Sequence, residues 1–216
     1  MTLPVPAGDP RDRVTSRKSG DKAMAGTSIL VTEDSPKVER SKRLVEGGGF
    51  PSRLGIGRER SPRGTFYHPY YFQSWKVTVH KTLGRVLRAR LFTGVNAITR
   101  SAGPASGLPA CAEVKVSGET VLAPRAAADE ATRLGLEYMK SLVGGRYRPS
   151  KPPVIEQEAC QLIYVPYYAY SRDGDSPSRA VLVEGMTGSR GRMSEVPAIG
   201  EVFRGHKIPA GAGEGG

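Results

Sequence analysis

Cysteine and histidine are scarce in this chain, and their scarcity removes several kinds of chemistry. The two cysteines, Cys111 and Cys160, form no C-x-x-C pair, so zinc-ribbon spacing is excluded. Isolated thiols of this kind are expected to act as small buried apolar groups in a reducing compartment. The three histidines are His68, His80 and His206, and no H-E-x-x-H, G-x-S-x-G or local Cys/His signature surrounds them. No metal and no cofactor is therefore expected. Long apolar runs are missing too. None approaches the roughly 18–20 residues of a membrane-spanning helix. The stretch from Met1 to Lys22 is polar and charged, without the apolar segment of a secretory signal. The expected location is cytoplasmic, with no membrane span. Ser19-Gly20-Asp21-Lys22 has the spacing S-x-x-K but lacks its companion motifs, and Gly55-x-Gly57 has neither a preceding strand nor a third glycine.

Large apolar residues are thin at both ends. Residues 1–65 are crowded with Gly, Pro, Ser and charged residues, and residues 204–216 end in Gly-Ala-Gly-Glu-Gly-Gly. Such segments bury too little apolar surface to offset the entropy of ordering. The expected organisation is a disordered basic arm over 1–65, one domain over 66–203, and a flexible glycine-rich tail over 204–216. Ile29, Leu30 and Val31 form an apolar island in the arm, suited to adding an edge strand or docking on a partner. The net charge of +11 is uneven. Residues 66–125 hold eight basic against two acidic side chains, whereas residues 149–216 hold seven against eight. A basic half favours an acidic partner such as nucleic acid or an acidic protein surface; the plain alternative is solubility.

Against this background one pattern stands out. Tyr67-His68-Pro69-Tyr70-Tyr71 returns as Tyr164-Val165-Pro166-Tyr167-Tyr168. Each is followed by a polar stretch and an apolar run that starts near an Arg and ends at a Gly, Arg85 to Gly94 and Arg179 to Gly185. Two copies of one strand–turn–strand unit are the expectation, over residues 66–100 and 160–190. Proline cannot donate to a ladder, so Pro69 and Pro166 should lie at an edge or a bulge.

Around these motifs the periodicities assign elements. Trp75, Val77 and Val79 alternate with Lys76, Thr78 and His80; after a turn at Leu83-Gly84, Leu87, Ala89 and Leu91 alternate with Arg88 and Arg90. With the apolar set facing inward, Lys76, Arg88 and Arg90 form a cationic stripe on the outer face. Short strands are read at 112–116 and 120–122. Ala127, Ala131, Leu134, Tyr138 and Leu142 mark a helix over 126–143, stopped by Gly144-Gly145, with Gly135 placed for close packing. A long strand follows over 154–171 and its return over 179–184. The expected fold is α+β: a curved antiparallel sheet from two related hairpins with one helix packed on it.

The order helix, long strand, then Val183-Glu184-Gly185-Met186-Thr187-Gly188 resembles the PepSY and cystatin-like group. There a helix packs on an antiparallel sheet and a strand of the type V-D-x-x-T-G closes the unit; here Glu184 stands for the Asp. The first unit departs from the pattern, because Phe92-Thr93-Gly94-Val95-Asn96 lacks the acid and no helix is read before it. The resemblance implies a non-catalytic binding or inhibitory module, usually extracytoplasmic. The residues expected to meet a partner are Tyr70, Tyr71, Tyr167 and Tyr168, with Lys76, Arg88, Arg90 and the island Ile29, Leu30 and Val31. Three functions are weighed. First comes an accessory or assembly subunit binding another protein. Second is nucleic-acid binding through the arm and stripe, with tyrosines as stacking platforms. Third is a small enzyme with Glu156, Glu184 or a tyrosine at work in the sheet concavity.

Overall fold

The alternating segments pair into one sheet. The computed structural model describes residues 27–47, 60–116, 120–172, 176 and 179–205. In chain order the elements are β1 (Thr27–Thr32), α1 (Pro36–Glu46), β2 (Ser61–His80), β3 (Val86–Asn96), β4 (Ser101–Ala105), β5 (Cys111–Val116), α2 (Ala128–Tyr147), β6 (Val154–Ser171), β7 (Val181–Glu184), β8 (Arg190–Arg192) and α3 (Pro197–Gly205). The fold is α+β, as expected. Eight strands form an unclosed sheet in the order β4-β3-β2-β6-β1-β5, and β7 also pairs with β6 and carries β8. All named pairs are antiparallel except β1 with β6, so the sheet is mixed. Among the described residues no helix is long and apolar enough to cross a membrane.

The central ladder is β2 against β6, and it sets the two Tyr-x-Pro-Tyr-Tyr segments side by side. His68 faces Val165, Tyr67 faces Pro166 and Pro69 faces Tyr164. The second residue of one segment thus opposes the second residue of the other, and corresponding groups are related by a local two-fold axis between them. The neighbours obey the same relation. Tyr70 pairs with Asn96 at the end of β3, and Tyr167 with Glu184 at the end of β7. Val31 bridges Tyr164 in parallel, and Val121 bridges Tyr67 in parallel.

This register explains how two prolines sit in the middle of a sheet, not at its rim. The Pro69 carbonyl accepts from Ala97 N, and the Pro166 carbonyl accepts from Gly185 N. Within a strand residue, N and C=O point to the same side. Both prolines therefore turn their missing N–H outward, past the last residue of β3 or β7, where no ladder acceptor is waiting.

One face of the sheet is covered by α1 and α2. The inward set Trp75, Val77 and Val79 is buried there with Met139 and Val143 of α2, facing Leu91, Ala89 and Leu87 across the ladder as the alternation predicts. Buried polar groups tie the layers: Trp75 Nε1 donates to Thr93 Oγ1 at 2.9 Å, Thr93 Oγ1 donates to Gln73 Oε1 at 2.9 Å, and Gln73 Nε2 donates to the Ala131 carbonyl of α2 at 2.8 Å. The network needs Gly135. A Cβ built there would lie 1.8 Å from Gln73 Oε1 and 3.0 Å from the Trp75 ring. The helix overruns its expected stop and ends at Tyr147, because Arg148, at φ 46°, takes the left-handed capping position instead of either glycine.

Two expectations fail. Within the supposed arm, Ile29 and Val31 are buried in β1, and α1 seals β7; a helix therefore does precede β2. Helix α1 hides its apolar face, Val38 and Val45, among seven charged or polar neighbours, so its 3.6-residue stripe is too sparse to read. Ser35 caps it by accepting from Lys37 N, Pro36 starts it, and Gly47, at φ 101°, ends it. Likewise, the expected trailing polar segment after 189 forms β8 and α3, whose Ile199 and Phe203 pack with Phe66 on the second face of the sheet. The Ser19–Lys22 and Gly55–Gly57 matches, and the tail beyond Gly205, lie outside the described residues.

Gly135→Ala is expected to destabilise the protein by about 1–3 kcal/mol, the range for overpacking a filled core. Gly144→Ala, with open space around its Cβ, should instead gain about 0.5–1 kcal/mol from helix propensity. Urea midpoints of the two variants check both signs.

Candidate functional site

On the second face, beside α3, the two-fold axis carries a polar cluster. Tyr70 and Tyr167 are equivalent positions of the two motifs, and their hydroxyls meet at 3.4 Å. Each tyrosine faces the residue paired with it on the return strand. Asn96 Nδ2 donates to Tyr70 Oη at 3.4 Å, and Tyr167 Oη donates to Glu184 Oε1 at 3.2 Å. The proton directions follow. Asn96 Oδ1 accepts from Ile98 N and Thr99 N, which aims the amide nitrogen at Tyr70. Tyr167 spends its one proton on Glu184, so Tyr70 donates to Tyr167. The chain runs Asn96 to Tyr70 to Tyr167 and terminates on the carboxylate, whose other oxygen accepts from Thr187.

Burial pushes both phenols upward. For Tyr167 desolvation leads, reinforced by Tyr70 and Glu184; for Tyr70 it outweighs the opposing effect of its hydrogen bonds with Tyr167 and Asn96. Neither is tuned toward a phenolate, which a nucleophilic or basic tyrosine requires. His68 lies against both rings, with centroids at 5.0 Å from Tyr70 and 5.8 Å from Tyr167, and only 1% of it is exposed. Its Nδ1 is buried without a partner. Desolvation holds the imidazole down to about 4, opposed in part by the Pro69 backbone.

The cluster forms one wall of a pocket of about 620 Å³. Tyr70, Phe72, Asn96, Glu184, Met186 and Thr187 line one side, and the segment Ser101–Pro109 lines the other. That segment comprises β4 and most of the link to β5, which lie at opposite edges of the sheet. Its residues, Ser-Ala-Gly-Pro-Ala-Ser-Gly-Leu-Pro, are mostly small, so a ligand can approach its backbone closely. Among the described residues Glu184 is the sole charged one lining the pocket, and it makes no ion pair.

The expected partner-binding residues are scattered by this geometry. Each Tyr-Tyr pair does split across the sheet, but both faces are covered. Tyr71 is buried beneath the start of α2, its hydroxyl on the Ala126 carbonyl, and Tyr167 is buried at the axis. Tyr168 turns toward α1, donating to Asp34 at 2.7 Å beneath the Lys42 ammonium. Only Tyr70 reaches the pocket. Ile29, Leu30 and Val31 are strand residues of the chain's own sheet. The stripe lies on one face as predicted, since Lys76 pairs with Arg90 and Thr78 with Arg88 in register. Two of its three cations are paired, however: Arg90 makes a bidentate pair with Glu158 at 2.6 and 3.0 Å, and Lys76 lies 3.7 Å from Glu156, while Arg88 makes no ion pair among the described residues. Arg90 holds the Glu158 carboxyl below its ordinary range. These two acids, one of them weighed for catalysis, are thus ion-pair partners away from the pocket.

Asn96 and the Ser101–Pro109 segment are not marked as site residues by the sequence, and Met186 and Thr187 enter it only as part of the Val183–Gly188 motif. Asn96 was detectable only by aligning the motifs through their strand partners, because the structure matches it, not Thr93, to Glu184. Among the described residues no group of three or more His, Cys, Asp and Glu side chains is arranged to hold a metal ion. Cys111 and Cys160 are unpaired and half-buried.

His68 makes stability depend on pH. Its folded value lies below the ordinary 6.5, so between pH 6.5 and about 4 the unfolded chain binds a proton that the folded chain refuses. Stability is lost as pH falls through that window. Between pH 7 and 5 the loss from this group is about 2 kcal/mol at 1.36 kcal/mol per unit. Urea midpoints at the two pH values should show that much less loss in His68→Leu than in the parent chain. Comparison of the chain with family models, with curated proteins and with solved structures found no match.

Proposed function

We propose that this chain is a non-catalytic binding subunit that takes a basic side chain of a protein partner into the pocket over Tyr70 and Glu184. One observation carries the reading. Glu184 is a carboxylate held in place by Tyr167 and Thr187 on the wall of a pocket whose other lining groups are neutral, with no cation of its own. An incoming ammonium or guanidinium supplies that charge, and its stem lies on Tyr70 and Phe72. The raised phenols and the buried, neutral His68 favour binding over acid–base work. The paired state of Lys76 and Arg90 weighs against a nucleic-acid track. We read the framework as two copies of one strand–helix–strand–strand unit, with the charged member of the Asn96/Glu184 pair marking the binding side. The resemblance to the PepSY and cystatin-like group agrees with a binding role, and a cytoplasmic setting agrees with the free thiols.

The test compares three forms of the full chain as bait in extracts of its own cells, nuclease-treated: the parent, Glu184→Gln and Gly103→Phe. Gly103 lines the pocket and has no atom within 4 Å of its Cβ position, so Phe fills the pocket without displacing the sheet. A partner held by the parent and weakened about tenfold or more in both variants is the expected result, the scale of one charge-assisted contact. Equal capture by all three would overturn the proposal.

A further inference from the structure

A second polar groove lies away from Glu184, at the end of the sheet where β2 begins and β6 stops. Its volume is about 420 Å³, and its lining includes Arg60, Arg190, Arg192 and Glu195. Register explains the convergence. Arg190 and Arg192 are two apart on β8 and share a face, opposite Val183 and Val181. Those valines pair with Tyr168 and Tyr170 of β6, so both arginines stand on the face that α1 covers, beside Leu44 and Val45 near its C-terminus. Arg60 enters from the residue before Ser61, which faces Ser171.

Like charges brought together in this way repel unless something sits between them. Here little does. Among the described residues none of the three arginines makes an ion pair, although Lys76 and Arg90 on the outer face both do. Glu195 lines the groove but approaches no arginine within ion-pair distance. Among the described residues Arg60 Nε is buried without a hydrogen-bond partner, and so is the Nε of Arg172, which follows Ser171. A buried guanidinium N–H left unpaired costs stability, and an oxyanion removes the cost by accepting from the forked donors.

We infer that Arg60, Arg190 and Arg192 form a site for a phosphate-bearing small molecule. Three forks around a 420 Å³ groove suit one or two phosphoryl groups. The three arginines converge on one groove of limited volume, which favours a small ligand over a polynucleotide. The site does not depend on the pocket at Glu184.

Inorganic pyrophosphate is the probe, titrated calorimetrically into the full chain with ionic strength held constant by sodium chloride. Saturable binding is expected in the parent and in Glu184→Gln alike. The double variant Arg190→Gln/Arg192→Gln, whose altered side chains are exposed, should bind about tenfold more weakly or worse. Arg133→Gln, an exposed change on α2, should leave affinity unchanged. Absence of saturable binding at millimolar pyrophosphate, or equal affinity in the double variant, would overturn the site. Affinity for single-stranded oligonucleotides that climbs steadily with length and exceeds that for pyrophosphate would replace the small ligand with nucleic acid.

Discussion

Everything in this molecule is referred to the ladder between β2 and β6. It is the longest pairing in the sheet, running from Ser61 against Ser171 to Thr78 against Val154. At its centre two prolines face outward at points where their outer neighbours have ended, so the ladder loses no bond to them. Each flanking element then takes its place from the centre: β3 and β7 as return strands, β1 and Val121 as parallel bridges beyond the prolines. Slipping β6 by one residue against β2 would turn Tyr167 to the helix-covered face and bring Tyr168 beside Tyr70 on the pocket face. The polar cluster, the pocket and the cover of α1 and α2 therefore depend on one pairing choice.

Much of the fold was legible because period-two patterns survive where one face is buried. Trp75, Val77 and Val79 against Lys76, Thr78 and His80 read as a strand and are one, and Gly135, a glycine inside a helical pattern, signals the close approach it permits. The failures share a cause. Ile29 and Val31 are buried by β5 and β6, and Val38 and Val45 by β6 and β7, all distant in sequence. A local window sees only their charged neighbours and assigns an arm. The same blindness hid the acids on β6 that pair with Lys76 across one ladder and with Arg90 over the width of β2, since such a pair leaves no trace in either strand alone.

The candidate site was less legible than the fold. Tyr70, Tyr167 and Glu184 were singled out for separate reasons, and only the register joins them. The two-fold relation sharpens what is particular about the place. Across the axis tyrosine matches tyrosine, and then Asn96 stands where Glu184 stands on the other side. A neutral amide and a carboxylate at related positions give the hydrogen-bond chain a direction, from amide to acid. The polarity of that line, together with His68 standing opposite Val165, separates one side of the axis from the other.

The interleaving of early and late segments bears on how the chain comes to be folded at all. Strand β1 and helix α1 are made first, yet they are sealed by β6 and β7; β2, likewise, waits for a partner about a hundred residues downstream. Loop closure over such distances must be met before the contacts repay it, so folding is expected to be slow and all-or-none. During synthesis the apolar faces of β1 and β2 leave the ribosome long before their complement exists. A growing chain of this design has an interval of exposure built into it, during which a chaperone is its natural companion.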